Sequence, residues 1–297
     1  MPSPERGRTG DGFREQLLAR LRNEALRANV PAQRLQQQVV FERLLARLAA
    51  WDGWTLKGGF ALEMRYGLEN RPTRDVDLRA EGPIDAALDQ LRAAIARETS
   101  DRLTYEVEAI RPLDNVPFGG ARARLSVLLA GAQFGRFHLD ISCGEALLDE
   151  PDILNGSGLL LFAGIAPVRF PAYPILQHRA EKLHAYTMPR TIENTRVKDL
   201  LDLVTIASRE TVAGDRLSAS VGATFARRGT HLLPPALPQP PAAWASAHEH
   251  LASEATGLSI RGIADGFRLV QSFWQPVLDG AAGGLHWEPG ARTWLGA

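Results

Sequence analysis

Residues 74–79, "RDVDLR", alternate charged and apolar side chains. A period of two is the mark of a strand with one face on a core. Val76 and Leu78 are therefore expected to point inward, and Asp75, Asp77 and Arg79 outward. The stretch "RFHLDIS" at 136–142 repeats the pattern, with Phe137, Leu139 and Ile141 on its apolar face and Asp140 on its polar face. A chain with two such segments has to build a sheet that buries one side and presents acids on the other. Strands are predicted near 102–110, 122–130 and 134–142, separated by Gly- and Pro-containing turns.

The acids constrain the chemistry. Side chains at i and i+2 of a strand project in parallel, roughly 7 Å apart along the backbone. Two anions on one face repel unless a cation sits between them. Magnesium suits that position, because it binds through one or two carboxylates together with water and substrate phosphates. An Asp-x-Asp pair alone fits a solvated strand edge equally well. Asp140 on a neighbouring strand adds a third carboxylate, and Asp75, Asp77 and Asp140 together make a candidate two-metal site for phosphoryl or nucleotidyl transfer.

Sixteen residues before Asp75 ends the pair Gly58-Gly59, which follows Lys57 and opens a short helix, "GGFALEMRYGL". Helix N-termini carry unsatisfied N–H groups and a partial positive charge, and glycine lets a phosphate approach the backbone. Lys57, Gly58 and Gly59 are thus candidates for nucleotide binding, with a tight strand-to-helix turn as the plainer explanation. The phosphate loop pattern G-x-x-x-x-G-K-[ST] is absent.

Elsewhere, residues 13–29 and 32–50 are spaced as two amphipathic helices broken at Pro31, and 84–98 as another. From about 171 the pattern becomes helical, with helices expected in "PAYPILQHRAEKLHAYT" and "RVKDLLDLVTIASRE" and near 212–226, 241–255 and 259–278; "LLPPALPQPP" is a proline-rich connector. The expected organisation is a disordered leader at 1–12, an α/β domain with N-terminal helices at 13–170, and a helical domain at 171–297. The fold class is α+β: a mixed sheet with flanking helices followed by a helical half.

Composition narrows the partners. Lys plus Arg number 34, as do Asp plus Glu, so the net charge is zero and any nucleic-acid contact must come from a local patch. Cys143 is the only cysteine, so no intrachain disulfide can form. No apolar run reaches the roughly 18 residues of a membrane span. These features suit a cytoplasmic protein without a membrane partner.

The stretch "LKGGFALEMRYGLENRPTRDVDL" resembles the AbiEii/AbiGii-type nucleotidyltransferase toxins of the DNA polymerase β-like superfamily, the mycobacterial MenT branch in particular. That family has a Gly-Gly or Gly-Ser motif, an Asp-x-Asp-type motif, a downstream lysine and an Asp-containing helix. Here "ILQHRAEKLHAYT" supplies Lys182 and "RVKDLLDL" supplies Asp199, with Asp202 one step on. The resemblance runs over about 35–207. It implies a nucleotidyltransferase fold and a toxin, encoded beside an antitoxin, that moves NMP from an NTP to an RNA acceptor such as the tRNA 3′ end, with Mg2+ or Mn2+. It implies catalytic roles for Asp75, Asp77, Lys182 and Asp199, with Lys182 also on the nucleotide. A lysine facing the triphosphate would offset charge on the departing pyrophosphate. The helical half would then fold back toward the strands. Asp199 could orient Lys182, act as a base, or simply pair with Arg196. Arg71 and Arg74 either touch phosphate or RNA or cap the strand, and Arg179, Lys182, Arg190, Arg196 and Lys198, with Tyr186 among them, read equally as a local RNA-facing patch or as an ordinary solvated helix pair. Two other readings stay open: a transferase for a small molecule or a protein hydroxyl, and a non-catalytic binding module of the same fold.

Overall fold

Among the described residues seven strands form the main sheet, in the order β3-β4-β5-β2-β1-β7-β6. They are β1 (Trp54–Lys57), β2 (Asp75–Ala80), β3 (Leu103–Pro112), β4 (Gly120–Leu129), β5 (Ala132–Cys143), β6 (Asp152–Asn155) and β7 (Arg169–Ala172). The computed structural model describes residues 10–113, 116, 118–189 and 196–296. Strand β2 runs parallel to β5, and β1 parallel to β7, while the remaining pairs are antiparallel, so the sheet is mixed.

The chain divides into two units: residues 1–68, 72–146 and 151–172, and residues 69–71, 147–150 and 173–297. The first holds the sheet with helices α1 (Gly10–Ala28), α2 (Ala32–Leu48), α3 (Gly58–Tyr66) and α4 (Ile84–Ala96). Gly10–Gly12, expected in the leader, are the start of α1; residues 1–9 lie outside the described residues. The apolar side chains of the alternating strands meet the helices, as Phe41 of α2 shows with edge contacts at 4.9 Å to Phe60 and to Phe137. Val76, Leu78, Leu139 and Ile141 are fully buried, as their alternation requires. Arg47 of α2, itself buried, grips both Asp101 oxygens at 2.8 and 2.9 Å and the Leu103 carbonyl at 2.9 Å. One helix is thereby fixed to the start of β3.

The second unit contains α5 (Ile175–Thr187), α6 (Val197–Arg209), α7 (Gly214–Arg228), α8 (Ala245–Glu254) and α9 (Ile263–Leu278). It also carries a small sheet that the sequence reading does not place: β8 (Val212–Ala213), β9 (Leu285–Glu288) and β10 (Thr293–Gly296), ordered β10-β9-β8. Its anchor is Trp287, fully buried, stacked edge-on to Phe273 at 5.1 Å and donating from Nε1 to the Ala207 carbonyl at 2.7 Å. An indole can be buried this deeply because its one donor is satisfied. Among the described residues no helix is long and apolar enough to cross a membrane.

Candidate active site

Cross-strand register brings distant residues of the sequence into one transverse row. Lys57 of β1 lies opposite Asp77 of β2, Asp77 opposite Asp140 of β5, Asp140 opposite Arg122 of β4, and Arg122 opposite Arg111 of β3. Directly paired residues share a sheet face, so the row reads +, −, −, +, + across five strands. The neighbouring row sets Asp75 opposite His138 and His138 opposite Arg124. Asp75, Asp77 and Asp140 therefore come together on one face.

Arg122 reports on the field these acids make. Its guanidinium is bidentate to Asp140, Nε to Oδ1 at 2.7 Å and Nη2 to Oδ2 at 2.6 Å. That hydrogen bonding, with the negative charges of Asp140, Asp75 and Asp77, holds the guanidinium above its ordinary range. Arg122 thus lies within the field of all three carboxylates. Among the described residues no three His, Cys, Asp or Glu side chains already converge as a ligand set. The donors are nonetheless of the right kind for a hard cation: oxygen ligands only, with Asp75 41% exposed and Asp140 16%.

The glycine pair has a local reason. Gly58 begins α3 with φ +68°, a left-handed backbone, and a Cβ there would overlap the Asp77 carboxylate. Only glycine lets the helix start pack against that acid. Gly59 is buried in the first turn, and the N-cap residue Lys57 makes no side-chain capping bond to α3. The Lys57 ammonium turns instead to Ser142 Oγ at 2.6 Å and Glu145 at 2.9 Å. Arg79, buried, donates to the Glu145 carbonyl. Arg122, Ser142 and Glu145 are site neighbours that sequence reasoning missed; alternation hints at the first two, but their partners depend on register. Gly58→Ala is expected to cost about 1–2 kcal/mol from the left-handed backbone alone. It should also displace Asp77 and depress activity. Thermal denaturation checks the first effect, and a melting point equal to wild type would contradict the close packing.

In the second unit, Lys182 of α5 sits between two acids of α6. Its Nζ lies 2.9 Å from Asp199 Oδ1 and 2.7 Å from Asp202 Oδ2. Asp202 is fully buried and accepts a bidentate pair from Arg71, Nε at 2.7 Å and Nη2 at 2.8 Å. Burial opposes its charge, yet Arg71 and Lys182 hold the Asp202 carboxyl far below the usual carboxylate range. Burial likewise opposes the Lys182 charge, and Asp199 and Asp202 outweigh it, keeping the ammonium above its usual range. Arg196 adds a 3.4 Å contact to Asp199.

The RNA-facing patch expected from the sequence needs correcting in part. Arg71 is 4% exposed and Arg179 1%, the first fixed on Asp202 and the second on Glu210 at 2.6 Å. A buried guanidinium locked on a carboxylate presents nothing to solvent. Tyr186 is buried too, with its hydroxyl donating to the Pro238 carbonyl at 2.7 Å. Arg74 and Lys198 are exposed and Arg196 is partly so; Arg190 lies outside the described residues.

The mixed sheet with its flanking helices is a fold shared with a solved nucleotidyltransferase toxin. The chain is similar to MenT4, a nucleotidyltransferase toxin of Mycobacterium tuberculosis H37Rv, at 19% identity and a TM-score of 0.53, over 84% of this chain and 92% of that one. It is also similar to JHP933 of Helicobacter pylori, at 15% identity and a TM-score of 0.46, over 84% of this chain and 94% of that one. Residues 40–266 match the family described as nucleotidyl transferase AbiEii toxin of type IV toxin–antitoxin systems, and the chain belongs to that family. None of the curated proteins matches it. The family resemblance read from the motifs is borne out, and the match continues past residue 207, through α7 and α8 and into α9.

Proposed function

We propose that the chain transfers a nucleoside monophosphate from an NTP to an RNA 3′ hydroxyl, that of tRNA, with divalent cations held by Asp75, Asp77 and Asp140. The observation that carries this reading is the in-register placement of Asp77 against Asp140, with Asp75 two residues away and the start of α3 packed on Asp77. Bound Mg2+ or Mn2+ would supply charge neutralisation for the triphosphate and the attacking oxygen. The chain's own residues do the rest. The first-turn N–H groups of α3 offer donors to phosphate oxygens beside the carboxylates. Through the cations they would hold, the carboxylates would set the acceptor hydroxyl in line with the α-phosphorus; its oxygen bonds to that phosphorus as its proton passes to water, and the bond to the departing pyrophosphate breaks.

Lys182 is the proposed charge-offsetting cation of the second motif. We read Asp199 as its orienter, from their 2.9 Å contact. Lys182→Met should slow transfer with little loss of stability, because Asp202 keeps Arg71 as its partner. Addition of nucleotides to the tRNA 3′ end would cover the hydroxyl that accepts an amino acid, which would make the protein a cytoplasmic toxin restrained by its antitoxin.

The test is incubation with each labelled NTP, magnesium and total bacterial RNA. Label should enter RNA of tRNA size at its 3′ terminus. Expression in a bacterium should arrest growth, and Asp75→Ala should restore it. Label in protein or a small molecule, with tRNA untouched, would transfer the same carboxylate roles to another acceptor.

A further inference from the structure

We propose that Arg111, Arg124 and Arg136 form the surface that binds the phosphates of the acceptor RNA, on the flank of the carboxylates away from the glycine-led helix. The inference rests on the RNA-acceptor reading above and adds the location and chemistry of the acceptor contact. Sheet order supplies the first argument. Strand β1, which leads into α3, lies on one side of the β2–β5 carboxylate pair, while β4 and β3 lie on the other. In-line displacement puts the attacking oxygen and the leaving pyrophosphate on opposite sides of the transferred phosphorus. With the triphosphate toward α3, the acceptor must approach from the β4 side.

Charge supplies the second. Arg111 lies directly across from Arg122, and Arg124 lies beside His138 in the next row, all on the carboxylate face. Arg124 and Arg136 are 51% and 61% exposed, and Arg111 is also exposed. Glu108 stands at an irregularity between Val107 and Ala109 of β3 and reaches both arginines, Arg124 at 2.7 Å and Arg136 at 2.8 Å. One carboxylate thus aligns two guanidinium forks, and each fork has five N–H donors, more than Glu108 can use. Among the described residues of β3 and β4 the acids of this flank are Glu106 and Glu108, against Arg111, Arg122, Arg124 and Arg136. In a chain of zero net charge, an exposed cationic flank next to three catalytic-type acids fits a polyanion that has to reach those acids.

The experiment uses the full-length chain and a synthetic RNA hairpin with a single-stranded 3′ end, read by fluorescence anisotropy over a salt series. Arg124→Gln with Arg136→Gln should weaken RNA binding by about tenfold or more. It should also flatten the slope of log affinity against log salt by about 1.4, two contacts at about 0.7 each for single strands. Arg111→Gln should act in the same direction to a smaller extent. NTP affinity, measured on the same preparations, should stay at the wild-type value, which also verifies folding. The charge-preserving pair Arg124→Lys with Arg136→Lys should retain most of the RNA affinity. RNA binding and salt slope unchanged in the glutamine pair, with wild type still labelling RNA, would overturn this inference alone. Loss of NTP affinity with RNA binding intact would overturn it as well, by assigning the arginines to the triphosphate. A wild-type protein that neither binds nor labels RNA would overturn the acceptor reading, and this inference with it.

Discussion

Asp77→Asn is expected to abolish most nucleotidyl transfer while the sheet stays folded. The substitution keeps the side chain's shape and removes one of the three negative charges proposed to hold the divalent cations. Loss of a carboxylate from a metal site removes several kcal/mol of transition-state stabilisation. At about 1.4 kcal/mol per decade, that corresponds to a rate loss on the order of a hundred- to a thousandfold. Stability should change little, because Asp77 is only half-buried and one charge is lost from a cluster of like charges. The measurement is the turnover of labelled NTP into acceptor at saturating magnesium, beside a melting curve. A folded variant with wild-type turnover would remove Asp77 from the site.

Asp202→Ala is expected to be the most destabilising single change in the second unit. It would leave Arg71 without its bidentate partner and take one of two carboxylates from Lys182, all in buried surroundings. Removing one member of a buried ion pair costs roughly 3–5 kcal/mol, because the remaining charge is uncompensated. A drop in melting temperature on the order of 10 °C follows, at roughly 2–4 °C per kcal/mol. The acid dependence has a definite sign. The folded Asp202 carboxyl lies below its unfolded range, so its contribution is complete above that range and fades as the pH falls toward the folded value. The gap in stability between wild type and Asp202→Ala should therefore narrow in acid. A constant gap from neutral pH to strongly acidic pH would contradict an ionised, paired Asp202.

The strands that carry the acids are legible in the sequence because their signal is local. "RDVDLR" and "RFHLDIS" alternate with period two, and β2 and β5 lie where that alternation puts them, with their apolar members buried. Gly58-Gly59 is likewise legible as a strand-to-helix turn. What is not legible depends on pairing between distant segments. Arg122 looks like any surface arginine until β4 is registered on β5. Arg71 reads as a cation ready for phosphate, and only the fold shows Asp202 claiming it. Arg179 misleads for the same reason, since helical spacing places it on the face of Lys182 but does not reveal Glu210. The β8–β10 sheet escapes because its strands are two to four residues long and take their stability from Trp287 burying itself against α6 and α9, a tertiary effect.

The pairing of β2 with β5 also governs when Asp77 and Asp140 can meet. These strands are parallel and far apart in sequence, with α4, β3 and β4 between them. A slip of one residue would turn Asp140 into the core and bring Leu139 or Ile141 to face Asp77, so no partly registered sheet holds the acid pair. Long-range parallel pairing is slow to close, because its loop entropy is lost before its contacts form. A chain emerging from the ribosome therefore carries no assembled row of acids until the last of these strands has locked into place.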